Sequence, residues 1–71
     1  MQVCSTIGGT LIRILVVPGQ HIPAGAELAL IESMKMEIPL VAESAGVVKE
    51  IFFAAGEFVQ EGDVVMVLGD S

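Results

Sequence analysis

Few side chains in this 71-residue sequence could do chemistry, and one is set apart by its surroundings. Lys35 is one of two lysines and lies in the run Glu32-Ser33-Met34-Lys35-Met36-Glu37-Ile38-Pro39. A thioether stands on each side of it, and a carboxylate stands beyond each thioether. An ordinary surface lysine has mixed polar neighbours. A lysine amine is a nucleophile only when neutral, and a free one titrates near 10.4, so any reaction of this amine near neutral pH needs a base from a partner. Met34 and Met36 are flexible and uncharged. They can adapt to the pockets of several partners without leaving a buried charge unpaired. Lys35 is therefore the candidate site residue, with Glu32, Ser33, Met34, Met36 and Glu37 as candidate recognition flanks.

The other reactive residues form no constellation. His21 has no Cys, Asp or second His at ligand spacing, so it reads as structural or solvated. Cys4 has no basic residue close in sequence to activate its thiol and reads as a small strand hydrophobe. The seven glutamates make no metal motif and read as a solvated acidic surface. No Ser/His/Asp constellation is read around the single histidine, and Gly8-Gly9 lacks the Gly-Lys-Ser/Thr of a phosphate loop. Neither a catalytic residue nor a metal site is expected.

The composition narrows the partners. The net charge of −6, from nine carboxylates and three basic residues, argues against nucleic acid and against an anionic membrane surface. Soluble proteins with basic docking faces fit it. No run of 18 apolar residues could cross a membrane as a helix, and no signal peptide is read at the N-terminus. The lone Cys4 cannot form an internal disulfide, so a reducing, cytoplasmic setting is the simplest inference.

The elements that must hold Lys35 are strands. Thr10 to Val17 is rich in β-branched residues between Gly9 and Pro18-Gly19. Short strands are expected at His21-Ile22, Glu27 to Ser33, Ile38 to Val41, Val47 to Phe53, Phe58-Val59 and Val64 to Leu68, separated by glycine turns. A shift of 37 residues places Gly9 on Gly46, Ile14 on Ile51, Gly19 on Gly56 and Gly25 on Gly62. Only four of 34 paired positions are identical, so identity alone proves little. Turn glycines and strand apolars nevertheless keep register without a gap, which implies matching chain paths. One domain, 1–71, is expected, with copies at 1–34 and 38–71 and Lys35 at their junction. Neither copy can bury an apolar face alone. A sandwich or flattened barrel of two antiparallel sheets is the natural solution, and 54% hydrophobic residues suffice to fill it.

The Met34-Lys35-Met36 run within this strand pattern closely resembles the attachment sequence of biotinyl domains, the biotin carboxyl carrier modules of biotin-dependent carboxylases and decarboxylases. The resemblance covers nearly the whole chain and is nearest to the small free-standing biotin/lipoyl attachment proteins. It implies an all-β barrel-sandwich hybrid of two four-stranded sheets with pseudo-two-fold symmetry and the lysine on a tight hairpin. It implies biotin in amide linkage to Lys35, attached by a biotin protein ligase. It also implies a non-catalytic carrier that moves carboxybiotin between a biotin carboxylase and a carboxyltransferase. The commonest family version has Ala at the position of Ser33, and the protruding thumb of some bacterial carriers is absent here. Lipoyl domains share the fold but usually show Asp-Lys-Ala at the tip, so lipoate ranks behind biotin, with dual modification open. An unmodified β adaptor module is the reading from another class.

Overall fold

The computed structural model describes residues 1–70. The chain forms eight strands: β1 (Gln2–Cys4), β2 (Gly9–Ile14), β3 (His21–Ile22), β4 (Glu27–Ser33), β5 (Met36–Val41), β6 (Gly46–Ile51), β7 (Phe58–Val59) and β8 (Val64–Gly69). They make two four-stranded antiparallel sheets, in the orders β1-β8-β6-β3 and β5-β4-β2-β7. Adding four to each strand number, cyclically, turns one order into the other, which is the pseudo-two-fold expected of the fold.

The correspondence extends to single bonds. Gly19 N–H donates to the Val48 carbonyl at 2.7 Å, and Gly56 N–H donates to the Leu11 carbonyl at 2.6 Å, each pair 37 residues from the other. Gly25 to Ala42 and Gly62 to Ser5 match in the same way, at 2.7 and 2.8 Å. Gly19, Gly25, Gly56 and Gly62 all have positive φ. In Val17-Pro18-Gly19-Gln20 the Gln20 N–H returns to the Val17 carbonyl, the turn that Pro-Gly at its centre favours. Gly9 and Gly46 have a different role. A Cβ on Gly9 would meet the Glu32 carbonyl oxygen, and one on Gly46 would lie 2.7 Å from the Gly69 carbonyl oxygen. These are equivalent places where two backbones approach too closely for any side chain.

The core follows from the same pairing. Leu11 and Val48, Leu28 and Val65, Ile31 and Leu68, Ile22 and Val59, and Val3 and Leu40 are equivalent pairs, and all ten side chains are buried. Period-two alternation on β2 and β4 sends Leu11 and Ile31 inward and Thr10 and Glu32 outward. The strand expected to reach Val17 ends at Ile14. Leu15 still donates to the Leu28 carbonyl at 2.9 Å, but Val17 then uses its N–H on the Gln20 side chain to close the turn. The strand expected to reach Phe53 ends at Ile51 for the equivalent reason: Ala54 N–H is taken by the Glu57 carboxylate at 2.6 Å. β1 lies ahead of the first strand read from the sequence. Its signal was the repeat itself, which places Gln2–Cys4 on Pro39–Val41.

β5 is an edge strand, which is why Pro39 fits within it: no central ladder needs the missing N–H. The strand leaves Lys35 and runs away from it to Val41. Three residues further on, the Ser44 hydroxyl meets the Met1 sulfur at 3.5 Å, and the Met1 amine donates to the Leu68 carbonyl at 2.6 Å. The N-terminus is thus tied to β8 and lies beside Ser44, past the end of β5 that is away from the β4–β5 hairpin.

The hairpin tip as candidate functional site

β4 and β5 pair from Glu27↔Val41 to Ser33↔Met36, which leaves Met34 and Lys35 as a two-residue turn. Both are in the left-handed region, Met34 at φ 52° and Lys35 at φ 64°. Two-residue hairpins need this geometry because it matches the strand twist, and Asn-Gly or Asp-Gly normally supply it. Met and Lys adopt it at a cost of about 1–2 kcal/mol each. Of the two tips open from sequence, Met34-Lys35 and Lys35-Met36, the structure forms the first.

The tip is also bare. Met34 is 92% exposed and Met36 62%, and Lys35 is exposed between them. A methionine that fills a core cannot stand in this way, so neither side chain is a core filler. Glu32 and Glu37 are exposed and directly opposite each other across the β4–β5 pair, while Ser33 is half-buried opposite Met36. All six residues of the expected site therefore lie within one hairpin end. An amine here is open to attack an acyl group carried in another protein's cleft.

Lys49, the other lysine, is also exposed but sits in a strand and not in a turn. It lies within β6 on the other sheet, and its aliphatic chain covers Gly69 closely enough that a Cβ there would strike it. His21 is exposed on β3, opposite Val47. Among the described residues no three His, Cys, Asp or Glu side chains converge as a metal site would need. Cys4 is on a strand, as read, but it is exposed rather than a packed hydrophobe, because β1 turns only Val3 inward. A shallow cleft of about 180 Å³ lies between the edges of β1 and β5, lined by Met1 to Cys4 and Pro39 to Val41. It does not include the hairpin tip. No helix of the described residues is long and apolar enough to cross a membrane.

Comparison with known proteins adds independent evidence. The chain is 46% identical over 71 residues to the biotin/lipoyl attachment protein of Bacillus subtilis, covering all of this chain and 97% of that protein. It is 38% identical over 67 residues to the biotinylated protein TB7.3 homolog of Mycobacterium leprae, covering 94% of each. Among solved structures, a single-chain, multi-domain long-chain acyl-CoA carboxylase superposes with a TM-score of 0.93 at 28% identity. That match covers the whole of this chain but only 7% of the carboxylase. The sequence profile of the family described as "Biotin-requiring enzyme" matches residues 2–68. With both the fold and nearly the full length accounted for, this chain belongs to the biotin-requiring enzyme family, as a biotin/lipoyl domain.

Proposed function

We propose that residues 1–71 are a single biotin carboxyl carrier domain, acylated at Lys35 by a biotin protein ligase. The observation that carries this reading is the bare, strained tip. A lysine and a methionine occupy the two left-handed positions of a hairpin, where neither residue gains packing. A local rule broken without structural return points to selection for another property. In the acylation step the neutral Lys35 Nζ attacks the carbonyl carbon of an acyl-adenylate. The amide C–N bond forms, the acyl–phosphate bond breaks, AMP leaves and the amine's proton passes to the ligase.

The residues fit biotin. The tip is accessible, it carries one amine, and the neighbouring thioethers bring no charge that a partner pocket must desolvate. When bound, biotin supplies a ureido nitrogen able to carry a carboxyl group. This chain's own contribution is positional. Lys35 stands on an exposed turn at the opposite end of β5 from the segment that meets the N-terminus, so the tether reaches outward, and holding the group locally raises its concentration toward the millimolar range. The proposed partners are the biotin carboxylase and carboxyltransferase sites of a parent carboxylase or decarboxylase, with no catalytic residue supplied by this chain. The charge of −6 disfavours nucleic acid and anionic membranes as partners, and an exposed Cys4 thiol suits a reducing cytoplasm.

Intact mass after incubation with ligase, ATP and biotin tests the assignment. A single biotinyl addition that vanishes in Lys35→Arg is expected. Labelling that persists in that variant would overturn it. Lipoyl addition has a different mass, so the same spectrum decides between the two cofactors, and an unmodified adaptor would give neither.

A further inference from the structure

The pseudo-two-fold gives the molecule two ends built on one scaffold, so equivalent rows of residues can be compared to find what is particular to the lysine end. On the outer face of the β5-β4-β2-β7 sheet, a row of directly opposed residues leads across from the hairpin. It runs Glu37↔Glu32↔Thr10↔Phe58. Phe58 is 62% exposed on an edge strand of only two residues, while its neighbour Val59 is fully buried and anchors that strand. The equivalent row at the other end is His21↔Val47↔Gly69, with a titratable imidazole in place of the phenyl ring and no carboxylate.

Two features of the first row oppose stability. An exposed phenyl ring gains little burial, and two like charges directly opposite on adjacent strands repel. No basic side chain stands in the row to relieve them. Both costs fall if a partner brings an apolar pocket and a cation to this face. Four strands span about 14 Å at roughly 4.8 Å per step, the width of a compact contact patch. Aromatic anchors ringed by polar groups are what concentrated binding energy looks like at protein interfaces.

We infer that the Phe58–Thr10–Glu32–Glu37 row is the docking face for the ligase that acylates Lys35, with Phe58 as its apolar anchor. The ligase surface it fits has an apolar pocket about 14 Å from a basic group, across the row. The inference rests on Lys35 as the acceptor. Phe58 does not touch the reacting amine, so it is a positioning residue: it sets how well the carrier binds, not how fast the bound amine reacts.

Steady-state biotin incorporation, measured against carrier concentration with purified ligase, tests this on the whole chain. Phe58→Ser is expected to raise KM about tenfold with kcat changed less than about twofold and thermal unfolding retained, because the ring is exposed. Phe58→Leu restores most of the affinity. His21→Ser, at the equivalent position of the other end, leaves KM unchanged. Added salt raises the wild-type KM, as screening of Glu32 and Glu37 requires. A Phe58→Ser chain labelled with wild-type KM overturns the docking face while leaving Lys35 as acceptor. Equal losses in Phe58→Ser and His21→Ser overturn it as well, by removing the distinction between the ends. If Phe58→Ser instead dissociates a dimer seen by sedimentation and leaves KM alone, the face pairs two copies and the ligase assignment fails. A wild-type chain that takes no biotin at Lys35 overturns both readings.

Discussion

Replacing Met34 by Asn should make this domain more stable, and the structure sets the size of the gain. Met34 is 92% exposed, so removing its side chain forfeits almost no buried area. Its φ of 52° is left-handed, a conformation that costs an ordinary L-residue about 1–2 kcal/mol. Asn tolerates that region and is favoured at the first central position of such turns. The variant should recover most of the strain, about 1 kcal/mol. In a domain of this size that is a rise of roughly 4–8 °C in Tm. Met34→Asn with Lys35→Gly completes the favoured Asn-Gly pair, and the two gains should sum to about 2 kcal/mol. Urea unfolding followed by circular dichroism gives the number, with the m-value unchanged because the same surface is exposed on unfolding. A single variant with wild-type or lower stability and an unaltered m-value refutes the idea that the tip stores strain. The case for selection at Lys35 would then lose its physical basis.

Three other outcomes follow from the same geometry. Lys35→Arg should abolish biotin incorporation yet change stability by less than about 0.5 kcal/mol, since the tip is exposed, whereas Lys49→Arg should keep full labelling by mass. Leu28→Ala removes a fully buried side chain and should cost about 2–5 kcal/mol in urea unfolding, enough to leave a small domain marginal. Gly46→Ala forces a Cβ to 2.7 Å from the Gly69 carbonyl and should lower Tm, while Ala45→Gly next to it, on an exposed loop position, should change it far less.

The lysine end differs from its equivalent because it is where the duplicated scaffold is joined rather than open. At the equivalent end, β8 and β1 pair as β4 and β5 do, but the chain is not continuous between them. A two-residue link between paired strands must turn tightly, and a tight turn projects its side chains outward. The site therefore needs no pocket of its own. Its few residues present an amine, while the strands behind it keep that amine at a fixed position on an otherwise packed body.

Much of this was legible in the residues alone. Turn glycines 37 apart, with apolar positions in step, implied two equivalent chain paths, because backbone geometry repeats wherever the need for glycine repeats. Met34-Lys35-Met36 between Glu32 and Glu37 singled out the amine. Folding alone decided the rest. Hydrogen bonds from Val17 and Ala54 to turn side chains, invisible in a hydropathy pattern, ended β2 and β6 early. The left-handed pair fell on Met34 and Lys35 because Ser33 pairs with Met36, a register set by burial of Ile31 and Leu40 and not by the turn's own preferences. Phe58 came beside Thr10 and Glu32 only through pairing between distant segments, so no local reading could place an exposed ring on the face that leads to Lys35.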